Sequence, residues 1–184
     1  NLVSPTITVV ETTKGTKKPN GDYGGNDAMA IEAGAAYMYE RISTCSGSIC
    51  SYSWTQLHMF SAMDALRVPA SGEQFGHAVD TGMIGGQPYA LISAPGADNS
   101  MGKVFFYRDL GAGWAFKQEL DNSNWGANAF DRFGHAIASS NEILVATAPG
   151  YNSFEGAVYI WKGFQSATRF QFLPDQMITA PAGE

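Results

Sequence analysis

Apolar residues in this chain fall in short runs cut by Gly, Pro, Asn and Ser, with no long apolar run at helical spacing. Residues 89–94 (YALISA) and 142–148 (EILVATA) are continuous enough for strands buried on both faces. Residues 103–108 (KVFFYR) and 157–162 (AVYIWK) are rich in β-branched and aromatic side chains, and each follows a Gly. Residues 114–120 (WAFKQEL) partly alternate apolar with polar, as a half-buried strand does. Residues 75–80 (FGHAVD) and 133–139 (FGHAIAS) read as the strand that opens each group, with turns predicted at 82–86, 111–113 and 139–141.

These elements repeat. Phe75-Gly76-His77-Ala78-Val79 returns 58 residues later as Phe133-Gly134-His135-Ala136-Ile137. Ala94-Pro95-Gly96 followed by Gly102-Lys103-Val104 returns as Ala148-Pro149-Gly150 followed by Gly156-Ala157-Val158. The repeat extends backward. Gly34-Ala35-Ala36-Tyr37-Met38-Tyr39 matches the third strand of a unit, and residues 54–60 (WTQLHMF) match the fourth, with the same six-residue separation from Trp54 to Phe60 as from Trp114 to Leu120. Trp54 and Trp114 are therefore predicted to pack in equivalent places. The fourth strand of the last unit is predicted over 167–173 (ATRFQFL), without the Trp, and 3–10 reads as a strand of the first unit.

A period near 55 residues with four antiparallel strands per unit is the pattern of propeller blades. Residues 1–27 then form an N-terminal segment with a strand and loop of an incomplete blade, 28–66 the second half of a blade, 67–124 a full blade and 125–184 another. That makes an all-β chain of about two and a half to three β-propeller blades, expected to belong to a larger propeller, since four or more blades normally close a ring. Pro181-Ala182-Gly183-Glu184 echoes Pro69-Ala70-Ser71-Gly72-Glu73, which precedes Gln74-Phe75-Gly76. The expectation is that x-Phe-Gly comes next, or that a neighbouring chain covers the edge.

Composition narrows the function classes. The 184 residues are 45% hydrophobic and 15% charged, with 21 Gly and a net charge of −6. An acidic chain without a basic face is not expected to bind nucleic acid; Lys14, Lys17 and Lys18 lie in a Gly/Thr/Pro stretch that reads as a solvated loop. No run approaches the roughly 20 apolar residues of a membrane helix. Cys45 and Cys50 share a short polar loop between two strand-like runs, so a disulfide across the hairpin end is expected, and with it an oxidising compartment.

The strings FGHAV, LISAPG, GKVFFY and W, then FGHAI, LVATAPG and GAVYIW, resemble FG-GAP repeats, the blades of integrin α-subunit heads and of many secreted microbial proteins. The resemblance covers roughly residues 28–184 and implies a β-propeller, usually of seven blades. It also raises calcium, because integrin-type blades often carry an acidic loop just before the Ala-Pro-Gly strand. The corresponding loops here, 81–88 and 139–141, lack that acidic ladder, so no cofactor is expected. The weaker oxygen-bearing turns are Asp98-Asn99-Ser100, Asn152-Ser153 with Glu155, and 20–27 (NGDYGGND).

His77 and His135 occupy equivalent positions and are read as structural, some distance apart in adjacent blades. His58 stands by itself on a fourth strand. The chain lacks a G-x-S-x-G elbow and an H-E-x-x-H pair. Tyr151 and Phe154 have no obvious core role and are the candidate binding residues, suited to a protein partner or a sugar ring on the propeller rim. The predicted function is thus a non-enzymatic binding or scaffold module, secreted or otherwise extracytoplasmic, of the cell-adhesion type. The alternatives are a structural subunit whose blades pair between chains, and the propeller domain of a secreted hydrolase.

Overall fold

Within the two four-stranded sheets, each strand pairs with the next one in the chain, because short, often Gly-bearing connections join antiparallel neighbours with little loop to close. A computed structural model describes residues 7–12 (backbone only), 33–46, 48–140, 142–166 and 169–180. It contains three antiparallel sheets. The first holds β1 (Ile7–Thr12), β2 (Ala36–Ser46) and β3 (Ile49–Phe60), in that order. The second is a four-stranded meander of β4 (Val79–Ile84), β5 (Gln87–Ala94), β6 (Lys103–Asp109) and β7 (Trp114–Leu120). The third repeats that order with β8 (Ile137–Ser140), β9 (Ile143–Ala148), β10 (Ala157–Gln165) and β11 (Phe170–Thr179).

The three sheets share fine detail. A register shift separates Met38 from Tyr39, Phe106 from Tyr107 and Ile160 from Trp161, in each case four residues beyond Gly34, Gly102 and Gly156. A bulge at one repeated position is a built feature of the unit. Those three glycines are all left-handed, with φ of 84°, 92° and 79°.

The middle sheet is apolar on both faces because it has a neighbour on each side. Ala90, Ile92, Phe105 and Tyr107 join Ala36, Met38, Phe60 and Phe75 in one core. Tyr89, Leu91, Val104 and Phe106 join Phe133, Leu144, Tyr159 and Trp161 in the other. Strand alternation sends successive residues of β5 and β6 to opposite cores.

The opening strands start later than predicted. Phe75 and Phe133 lie outside β4 and β8 and instead make isolated parallel bridges to Gly34 and Gly102 of the preceding unit. The Phe75 amide donates to Ala33 O at 2.8 Å, and the Phe133 amide to Met101 O at 2.8 Å. Gly76 and Gly134 then turn the chain, their amides donating to Ser93 O at 2.8 Å and Thr147 O at 2.9 Å within their own units, and the regular ladders follow from Val79 and Ile137. A Cβ at Gly34 or Gly102 would lie 2.1 Å from the Phe75 or Phe133 carbonyl oxygen, which is why these positions are glycine. Burying each Phe side chain contributes roughly 1.5–3 kcal/mol to the junction.

Other boundaries also move. β4 runs through Gly82 to Ile84, and the turn is confined to Gly85-Gly86. The last strand begins at Phe170 and reaches Thr179, beyond the predicted 167–173. The N-terminal strand spans Ile7–Thr12 against β2; residues 3–6 of the predicted 3–10 strand, the 20–27 turn and the 181–184 echo lie outside the described residues.

Trp54 and Trp114 are not equivalent. Trp114 packs edge-on against Phe60 with centroids 5.4 Å apart, whereas Trp54 is 51% exposed. The β2–β3 hairpin extends past the neighbouring sheet, so its outer half finds no packing partner there; residues 51–57 are all exposed. Only the inner ends of the two strands match, with Phe60 and Leu120 both buried. Cys45 and Cys50 face each other near the tip of that hairpin and are disulfide-bonded.

Candidate functional site

The turn that follows each buried Phe places a histidine at the seam between the second and third sheets. His77 and His135 do not lie apart as predicted: their ring centroids are 4.9 Å apart with planes at 49°. Both repeat positions open onto the same seam. Partial burial lowers the His77 pKa, and the proximity of His135 and Arg132 lowers it further. Beside them, the Ser139 amide and hydroxyl both donate to Asp80 Oδ2, the hydroxyl at 2.5 Å. Tyr89 and Ser139 share a 2.8 Å hydroxyl contact. Among the described residues neither imidazole is hydrogen-bonded to Ser139 or Asp80, so no Ser-His-Asp relay is assembled. These polar groups tie β4 to β8. His58 packs edge-on against Phe60, 4.5 Å between centroids.

Of the turns considered for calcium that the structure describes, the Asp98 turn has its carboxylate taken up by cations. Asp98 accepts from Arg67 at 2.7 Å and pairs with Lys103 at 3.0 Å. Burial would raise the Asp98 pKa, but the two cations more than offset that and lower it. Lys103 also pairs with Glu119, and Arg67 with Glu73 and Glu119, closing an ion-pair cluster across the edge of the second sheet. Asn99 O accepts from the Phe130 amide at 3.3 Å. Asn152 Nδ2 donates to Glu155 Oε2 at 2.5 Å. Among the described residues no group of three or more His, Cys, Asp and Glu is placed to hold a metal ion.

The two aromatic candidates part company. Tyr151 packs edge-on against Tyr159, 6.3 Å between centroids, and is partly buried against the core shared by the second and third sheets. Phe154 is 80% exposed. It lines a cleft of about 400 Å³ with Phe130, Asn128, Asp131, Asn152 and Ser153. Phe130 is itself 67% exposed and had escaped the sequence reading.

Phe130 and Phe154 also hold unfavourable backbones, with φ of 72° and 74°. A side chain in the left-handed region costs about 1–2 kcal/mol. In the preceding unit the equivalent positions are Gly72 (φ 79°) and Ser100 (φ 63°). The signal was present in the repeat: Phe130 stands where the aligned copy has a turn glycine. The floor of the cleft is fixed by Asp131, which is 1% exposed and accepts from Asn122 Nδ2 and the Asn128 amide, both at 2.9 Å.

A comparison of the chain with protein-family models and with curated proteins finds no match to either. The cleft must therefore be read from its own chemistry. It offers two exposed aromatic side chains and amide groups on a frame held by the buried Asp131 carboxylate, a set suited to stacking with edge hydrogen bonds. Among the described residues no helix is long and apolar enough to cross a membrane.

Proposed function

We propose that this chain is a non-catalytic binding module made of FG-GAP-type propeller blades, part of a larger propeller working in an oxidising, extracytoplasmic setting. The observation that carries the reading is that Phe130 and Phe154 are both exposed and line one cleft, at backbone angles that disfavour them. Strain of this kind persists where the surrounding structure fixes it and where a ligand contact repays it. The repeated Phe-Gly and Ala-Pro-Gly words, the four-stranded meanders and the shared bulge support the blade assignment. The Cys45–Cys50 disulfide is compatible with an oxidising compartment.

The ligand class this cleft fits is a sugar ring or an apolar side chain of a protein, either of which stacks on exposed aromatic faces. A glycan array and a panel of immobilised extracellular proteins, probed with the native chain and with Phe130→Ala/Phe154→Ala, tests the reading. The double variant should lose the signal while unfolding at a temperature no lower than the native chain. An unchanged binding profile would remove the cleft from the account. A second reading, a subunit whose blades pair between chains, is favoured by one observation: the outer face of the third sheet is apolar and only partly covered, at Val145, Val158, Ile160 and Ile178.

A further inference from the structure

Among the described residues the same junction occurs twice, and its receiving half occurs a third time. At the first junction Gly34 bridges Phe75, Ala36 stands two residues on, and Ala36 pairs with a fully buried Phe60. At the second, Gly102 bridges Phe133, Val104 stands two residues on, and Val104 pairs with Leu120, 1% exposed. The third receiving edge has Gly156, then Val158, paired with Ile178. Its backbone matches, with Gly156 at φ 79°. Its surroundings do not: Ile178 is 47% exposed. A Cβ at Gly156 would meet nothing closer than Pro149 Cα at 3.8 Å, against 2.1 Å to a Phe carbonyl oxygen at Gly34 and Gly102.

A cleft of about 420 Å³ lies at this edge, lined by Thr147, Pro149, Glu155, Gly156, Val158 and Ile178, among others. At the occupied junction, Gly134 packs against Ser93 Cβ and Val104 Cγ2, both about 3.0 Å from where its Cβ would stand. Ser93 and Val104 are the repeat equivalents of Thr147 and Val158. The carbonyls that receive the second Phe-Gly segment are those of Ser100 and Met101, which accept from the Arg132 and Phe133 amides at 2.8 Å. Their counterparts are Phe154 and Glu155.

We infer that the Gly156–Val158 edge, with Ile178 and the Val145–Ile160 face behind it, is a docking site for a further repeat unit of this kind, received through an x-Phe-Gly segment. The segment forms one parallel bridge to Gly156, its Phe entering beside Val158 and Ile178 and its Gly passing close to Thr147. Glycine is required on both sides: a Cβ on the entering residue would stand 2.7 Å from a carbonyl oxygen at Gly76 and 2.9 Å at Gly134. Strand-edge recognition of this type draws its affinity from main-chain bonds and its specificity from alternate side-chain pockets. This inference uses only the main-chain carbonyl of Phe154 and no side chain of the Phe130 cleft, since neither Phe130 nor Asp131 lines this site, so loss of ligand binding in Phe130→Ala leaves it untouched.

The test is a titration of the native chain with a synthetic peptide of residues 71–82 (SGEQFGHAVDTG), followed by amide and methyl NMR at Gly156, Val158 and Ile178. Saturable shifts at these three residues are expected. Affinity should fall at least tenfold for a peptide carrying Gly76→Ala and for the protein variant Gly156→Ala. If Gly156→Ala does not fold, the altered peptide on the native chain decides the matter. The inference is overturned if millimolar peptide shifts none of the three residues, or if the Gly76→Ala peptide binds equally well. It is also overturned if sedimentation shows this face buried in a dimer of the chain without peptide, which would assign it to a second copy.

Discussion

The imidazoles of His77 and His135 lie 4.9 Å apart across the seam between the second and third sheets, with Arg132 close by. Protonating this pair places like charges together. The His77 pKa is lowered from 6.5 by burial first, then by His135 and Arg132. A depressed histidine binds fewer protons folded than unfolded, so stability rises with pH between the folded and unfolded values. It is fully present above about 6.5 and is lost as pH falls toward the folded pKa. Denaturant midpoints at about pH 8 and about pH 5.5 should show this drop in the native chain and a smaller one in His77→Gln/His135→Gln. Equal drops in both would exclude the pair as the source.

Trp114 and Trp54 separate packing from sequence position. Trp114→Ala removes a ring seated on Phe60 and should cost about 2–3 kcal/mol, short of the value for a fully buried aromatic. Trp54→Ala should cost less than about 1 kcal/mol, since its ring is half exposed. Equal losses in urea unfolding would show that the outer hairpin is packed after all.

Phe130→Gly is expected to stabilise the fold by up to about 1 kcal/mol, because it relieves a left-handed Phe at a position where the aligned unit has Gly72. The same change should weaken ligand binding at the cleft. A gain in stability at the expense of binding marks a residue held for function. A clear loss of stability would instead give Phe130 a structural role.

The Cys45–Cys50 disulfide closes no long loop, so its reduction should cost at most about 2 kcal/mol. Intact mass before and after reduction, with thermal unfolding of each form, checks both the bond and its modest effect. Two alkylatable thiols in the unreduced native chain would contradict the bond itself.

Much of the fold was legible because local pattern and packing agree. The β5 and β6 runs are apolar over Tyr89–Ile92 and Val104–Tyr107 since both faces meet a core there, and β7 matches its predicted span because Trp114 to Leu120 alternates against one. The opening strands were misplaced because Phe75 and Phe133 serve the preceding unit, a non-local bridge that no propensity encodes. The same blindness hid the histidine pair: 58 residues of sequence separation collapse to a ring contact only when sheets stack face to face. At the cleft, Phe154 was legible as an aromatic with no core role, while Tyr151 looked identical and packs inward on Tyr159. Phe130 needed the aligned Gly72 to be noticed. Asp98 looked like an oxygen ligand because one of its cations, Arg67, comes from 31 residues earlier in the chain.

The central claim is that glycine receives Phe-Gly at each junction between units, and paired alanine substitutions at Gly102 and Gly156 test it most directly. Both residues share the left-handed backbone, so both variants carry the same strain of about 1 kcal/mol. Only at Gly102 does the added methyl strike main chain, 2.1 Å from Phe133 O and 2.4 Å from its nitrogen. Equilibrium unfolding should therefore show Gly102→Ala losing about 3 kcal/mol or more, in the range of severe core and backbone defects, and Gly156→Ala losing about 1. Equal losses at the two positions would contradict the account.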